Sequence, residues 1–316
     1  MAVARARVAV VALFASMTLV ASGSAATGQD RVLAVLATSG PTPYSIADFR
    51  SVAADVGQFF QSSSLGGVHL SFDVTPWLDV FGASPSCGGF SDRSLDGVVA
   101  PARAAALEAG YDPAQYDQVL YALGDARCGF YGVTWGRQVM LTRPPSVDLL
   151  VHELGHTFGL GHALASTCAV GCGTLDPGDP YTPMGTGGFD FSAYEKSVLG
   201  WIGPQPRATA SGTYTIVPPT KKTKLSQALV IDGPEGQWWL EYRSRFRGVL
   251  VRFVSAEQSE SVFAPSATLI LRPTGAKRDW MVAGETFRAP HLFTAKLVRA
   301  TATAATLRLK FVAARR

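Results

Sequence analysis

The sequence predicts an α+β domain built on a twisted mixed sheet with a buried helix at its working edge, followed by an all-β sandwich or jelly roll. Three observations carry this. Up to residue 200, apolar or alternating runs of strand length are interleaved with stripes of helical period. At Gly203-Pro204-Gln205-Pro206 the character changes. Beyond it lie short alternating segments without a strong helix, spread over about a hundred residues. A chain of 316 residues that is 47% hydrophobic can bury one large core or two moderate ones.

The elements follow in order. Arg5 and Arg7 precede an apolar run over residues 8–20, and small residues at 21–26 offer a cleavage site. Residues 1–26 are therefore expected to be a signal peptide, because the apolar run at 8–20 is short for a membrane-spanning anchor, and the mature chain is expected to be secreted without stable membrane insertion. Residues 32–37 read as a central strand. Ser45 and Asp48 resemble a capping box, opening a helix with its stripe at Phe49, Val52, Ala53, Val56, Phe59 and Phe60. Residues 69–74 alternate as a strand, 102–109 form a helix ended by Gly110, and 118–123 form another strand. Residues 130–135 and 138–142 bracket a turn at Gly136, giving a hairpin. Ser192 and Glu195 cap a helix that stops at Gly200. Past the boundary, residues 214–217, 237–242, 249–253, 268–271 and 306–311 read as strands. The domains expected are 27–205 and 206–316.

Between the hairpin and the last helix lies His152-Glu153-Leu154-Gly155-His156-Thr157-Phe158-Gly159-Leu160-Gly161-His162. Ser146 is a suitable N-cap for a helix through this string, with Leu149, Leu150, Val151 and Leu154 as buried surface. On that helix His152 and His156 project from one face and can grip one metal ion. Gly159 lets the chain leave the helix at positive φ, and the turn brings His162 back as a third nitrogen. Three imidazoles leave a fourth tetrahedral position for water, the layout of one catalytic zinc ion. Glu153, beside the first ligand, is placed to act as general base. A carboxylate further along, such as Glu195, is the alternative third ligand.

The extended motif, followed by Met184 in Gly178-Asp179-Pro180-Tyr181-Thr182-Pro183-Met184-Gly185, resembles the signature of the metzincin zinc peptidases. It is similar to the gametolysin-like family and, more distantly, to immune-inhibitor-A-like secreted peptidases, in which Asp often replaces the third His. Cys128-Gly129-Phe130-Tyr131-Gly132 and Leu199-Gly200-Trp201 extend the likeness over most of residues 31–205. The resemblance implies a zincin fold and a zinc metalloendopeptidase acting on extracellular matrix or wall proteins. It also implies a strand at 129–135 bordering the cleft, where an extended substrate adds, and a methionine turn flooring the imidazoles. No Tyr follows Met184 within two residues, so a switchable tyrosine ligand of the astacin type is not expected.

Composition excludes other classes. The formal net charge is +4 with no basic stripe, so no nucleic-acid partner is expected. No asparagine occurs, so N-linked glycosylation is excluded. Four cysteines in an exported chain suggest two disulfides, for which three connectivities exist. Cys168 and Cys172 are expected to close a local loop, and Cys87 and Cys128 to tie the segment before the middle helix to the edge strand. His69 and His291 are expected to stand outside the metal site. Trp238-Trp239 reads first as core packing and second as a carbohydrate platform. Two other functions remain open: a wall- or glycan-binding module with structural zinc, and a zinc amidase for non-peptide amides. The first cysteine is Cys87, which leaves little room for a cysteine-bearing pro-segment, so the chain is expected to be competent once the signal is removed.

Overall fold

A computed structural model describes residues 27–82, 84–87, 91–166, 173–256 and 267–312, with Asp92 as backbone alone. The chain runs through β1 (Gly28–Thr38), α1 (Ile46–Ser63), β2 (Val68–Val74), β3 (Leu78–Asp79), α2 (Asp92–Glu108), β4 (Gln118–Leu123), β5 (Gly132–Trp135), β6 (Gln138–Leu141) and α3 (Val147–Thr157). It continues through β7 (Ala163–Ser166), β8 (Thr174–Leu175), α4 (Ala193–Val198), β9 (Gly212–Ile216), β10 (Ala228–Gly233), β11 (Gly236–Arg243) and β12 (Gly248–Ser255). The last strands are β13 (Thr268–Leu271), β14 (Trp280–Met281), β15 (Thr286–Ala289), β16 (Phe293–Ala300) and β17 (Ala305–Phe311).

The first sheet has the order β2-β1-β4-β6-β5, with β3 beside the end of β1. All pairs are parallel except β5 with β6. A parallel strand between two helical layers is apolar on both faces, which explains the unbroken run at 32–37. Val32, Ala34 and Leu36 pack with Phe49, Val56 and Phe60 of α1 and with Leu150, Val151 and Leu154 of α3. Leu33, Val35 and Ala37 pack with Leu95, Val99, Ala102 and Ala106 of α2 on the other side. The Ser45–Asp48 capping box opens α1 as expected. Helix α2 starts at its N-cap Ser91, well before the expected residue 102. The buried stripe from Leu95 to Ala106 holds Gly97 and Pro101 within the helix.

The later strands form two further sheets, β10-β11-β12-β13-β7-β8 with β14 at the end of β12, and β15-β16-β17-β9. They share one core, in which Leu229, Leu240, Val249 and Val251 meet Phe293, Leu297, Leu307 and Leu309. Strands β7 and β8 precede residue 205, and β7 runs parallel to β13, with Ala163 opposite Thr268. This sheet is thus assembled from both sides of the Gly203-to-Pro206 segment. Strands β3, β7, β8, β10, β14, β15 and β16 lie outside the strands expected from the sequence; β10 is buried on both faces at Ala228 to Ile231 and so lacks alternation. Trp238 and Trp239 are each only 7% exposed, packed on Phe253 and Phe293 and on Tyr194 respectively, so neither indole offers a stacking platform.

Cys87 and Cys128 form a disulfide with their Cα atoms 5.1 Å apart. The expected Cys168–Cys172 bridge lies outside the described residues. Closing a loop between residues 41 apart restricts the unfolded chain. Replacing both Cys87 and Cys128 by Ser is expected to lower stability by about 2–4 kcal/mol, read from the urea midpoint. An unchanged midpoint would contradict a stabilising role for the bridge.

Candidate active site

Helix α3 carries His152, Glu153 and His156. Ser146 caps its start by accepting from Leu149 N–H at 3.3 Å. At its end Gly159 adopts φ +87°, a conformation that side-chain-bearing residues resist, and the chain turns to place His162 just before β7. The backbone of His162 is held from the far part of the chain: its carbonyl accepts from Thr268 N–H at 3.3 Å.

The three imidazoles come together, with ring centroids 4.7, 5.2 and 4.9 Å apart and one nitrogen from each within 4.8 Å of the others. Each Nδ1 faces an outward partner. His152 Nδ1 lies 2.7 Å from the Pro183 carbonyl and His156 Nδ1 lies 2.7 Å from the Leu160 carbonyl. His162 Nδ1 lies 2.6 Å from the Asp176 carboxylate. Carbonyl oxygens only accept, so Nδ1 of His152 and His156 carries the hydrogen and Nε2 carries the lone pair. Those two Nε2 atoms are 3.1 Å apart. Burial pushes His152 down to about 4 and His156 to about 3, which keeps both neutral. Neutral imidazoles with fixed Nδ1 hydrogens and converging lone pairs suit a dication of zinc type. The donor set therefore fits the metal implied by the motif.

Glu153 is 5% exposed. Burial pushes its carboxyl up to about 7, against the Thr134 hydroxyl, which donates to Oε2 at 2.6 Å and favours the ionised form. A dication at the triad acts in the same direction as Thr134. Strand β5 crosses so close that a Cβ on Gly132 would lie 2.5 Å from Glu153 Oε1. Around these groups opens a cleft of ≈ 800 Å³, bordered by residues 129–134, the start of α3 and the segment from Pro183 to Gly187. The strand expected to border the cleft does so.

Met184 is fully buried, and its sulfur occupies the space a side chain on Gly155 would need under α3. Its carbonyl accepts from Ala163 N–H at 2.8 Å, while the Ala163 carbonyl accepts from Gly178 and Asp179 N–H at 2.9 Å. Asp179, wholly buried, accepts from Tyr181 N–H at 2.8 Å and from Arg252 Nε at 2.7 Å. Arg252 of β12 is 1% exposed and also binds Glu241 at 2.8 Å, and Glu241 pairs with Arg243. Burial alone would raise Glu241, but Arg243 and Arg252 hold its carboxyl below the usual glutamate value. Glu241 also accepts from Ala193 N–H at 2.8 Å, fixing the start of α4.

Sequence reasoning found the triad and Glu153. It missed Thr134, Asp176, Asp179, Glu241 and Arg252. Spacing gave no signal for these, because each meets the site through a long-range contact. Glu195, the alternative third ligand, is instead buried in the cap of α4, accepting from the Thr182 hydroxyl at 2.5 Å and Ser192 N–H at 2.6 Å. His69 and His291 are exposed and stand apart from the triad.

No family model matches the chain, and no curated protein matches it. Among solved structures, the chain is similar to archaemetzincin from Methanopyrus kandleri, at 18% identity and a TM-score of 0.32, over 54% of this chain and 94% of that one.

Replacing Arg252 by Ala leaves Asp179 and Glu241 buried without their cation and is expected to cost about 3–5 kcal/mol. Replacing Arg207, whose pair with Asp232 is about half exposed, should change stability by about 1 kcal/mol or less. Urea unfolding checks both, and equal effects would contradict the buried network. Because Glu241 is depressed in the folded state, its contribution is present above the unfolded value of 4.5 and lost as pH falls through the lower folded value. The urea midpoint should therefore drop on acidification below that point.

Proposed function

We propose that the chain is a secreted zinc-dependent endopeptidase of the metzincin type, similar in its motifs to the gametolysin-like family. It would hydrolyse peptide bonds of extracellular or cell-wall proteins. One observation carries this reading: three imidazoles converge with their Nδ1 atoms engaged outward, beside the buried carboxyl of Glu153, in one open cleft.

His152, His156 and His162 would hold one zinc ion, leaving a fourth position open. Bound there, zinc supplies a Lewis acid that polarises a carbonyl and acidifies water. Glu153 handles the proton. Thr134 holds Oε2, leaving Oε1 to accept a proton as the water oxygen adds to the carbonyl carbon. When the C–N bond breaks, Glu153 returns that proton to the leaving amine. Pro183, Leu160 and Asp176 keep the three rings turned inward throughout.

The Cys87–Cys128 bridge is consistent with an oxidising compartment, and no helix among the described residues is long and apolar enough to cross a membrane. The signal segment lies outside the described residues. A glycan-binding role gains no support from Trp238 and Trp239, which are buried.

Glu153→Gln is expected to retain one zinc per chain while losing hydrolysis by about 10²–10⁴-fold. Metal analysis and cleavage of a peptide library check this together. Near-normal turnover in the zinc-replete variant would remove Glu153 from the mechanism, and cleavage of wall amides but no peptide would replace peptidase by amidase.

A further inference from the structure

The cleft has an uneven charge. Asp148 and Glu153 are its carboxylates, and no Lys or Arg lines it among the described residues. Glu153 is buried and held by Thr134, whereas Asp148 is exposed and makes no side-chain hydrogen bond or ion pair among the described residues. Its Oδ1 lies against Gly188, where an added Cβ would come within 2.9 Å, so a bare backbone faces it. The nearest basic residue in sequence, Arg143, is turned onto the Tyr131 ring at 5.2 Å.

Position decides what such a carboxylate can do. Asp148 precedes His152 by four residues on α3, so both look out of the same face, separated by about 6 Å along the helix axis. An extended peptide advances about 3.3–3.6 Å per residue, so that distance is about two substrate residues. The same cleft has apolar wall residues, among them Leu149, Tyr131, Val133 and Pro183. Apolar walls beside an exposed, unpaired carboxylate match a long side chain with a cationic head.

We propose that the cleft selects peptide segments bearing lysine or arginine within about two residues of the scissile bond, with Asp148 as the specificity-determining residue. The proposal rests on the peptidase reading above. The methylenes of the substrate side chain lie along Leu149 and Tyr131, and its ammonium or guanidinium meets Asp148. A glutamate or aspartate at the same position is repelled.

Asp148 also sits in the first turn of α3, where a negative charge favours the helix regardless of substrate. The test must therefore read preference rather than total activity. Zinc-loaded full-length exported protein is assayed on quenched peptides that differ in one residue, Lys, Gln or Glu, scanned over three positions on each side of the cleaved bond. At one adjacent position, Lys should exceed Glu in kcat/KM by about 10- to 100-fold. Asp148→Asn should collapse that ratio while still cutting the Gln peptide, Asp148→Glu should keep it, and Asp148→Lys should reverse it. The Glu153→Gln variant gives a readout without turnover: it should bind the Lys peptide more tightly than the Glu peptide, by a margin that shrinks with added salt. Peptides cut with the same Lys-to-Glu ratio by wild type and Asp148→Asn would overturn the inference and leave the peptidase reading intact. Zinc-replete protein that neither binds nor cuts any peptide would overturn both.

Discussion

Arg252 is a guanidinium with almost no exposure, and the placement of the site depends on it. It joins Asp179, in the turn that leads to Met184, to Glu241 in the neighbouring strand β11. A charge so deeply buried is tolerated only with partners on several sides, and here burial would lower its pKa while Asp179 and Glu241 raise it. The consequence is geometric. Asp179 anchors the segment whose Pro183 carbonyl orients His152 and whose Met184 carbonyl holds Ala163, the residue after His162. The same Ala163 pairs with Thr268 on β13, next to β12. The third imidazole is therefore positioned by strands that lie a hundred residues further along the chain.

This arrangement links the later strands to the chemistry without giving them a ligand. Helix α3, packed on the first sheet, supplies two imidazoles and the Glu153 carboxyl, while β7, within the second sheet, fixes the approach of the third imidazole. Two layers of packing converge on the same point. Met184, Phe191 and Trp201 lie in the core beneath α3, and the Arg252 network closes the space beside them. Lys196, wholly buried in α4, adds a further pair with Asp190 at 2.6 Å and donates to the Pro219 carbonyl at 2.9 Å. Burial lowers its pKa, and the Asp190 contact opposes that shift.

Much of this was legible in the sequence, for physical reasons that differ by element. The unbroken apolar runs at 32–37 and 118–123 identified strands buried on both faces, and β4 matches its expected limits. The capping boxes at Ser45 and Ser192 were readable because both partners lie within four residues. The triad was readable because two of its histidines share a helix face and a glycine turn brings in the third. What could not be read depends on distance along the chain. Asp176 meets His162 across 14 residues, Arg252 meets Asp179 across 73, and nothing local marks either pair. Strand β7 looks like a loop after a ligand until β13 is there to pair with it. Helix α2 extends well before the expected residue 102, because its buried stripe from Leu95 to Ala106 packs on the first sheet and carries Pro101 within the helix.

The proposed function requires one zinc ion on the three imidazoles, with its fourth position open and Glu153 outside the ligand set. X-ray absorption at the zinc edge of the full exported protein tests it most directly. Three nitrogen scatterers of imidazole type at about 2.0–2.1 Å and one further light atom, at one zinc per chain, are predicted. A sulfur shell, a carboxylate in place of the third imidazole, or no zinc retained after purification would contradict it.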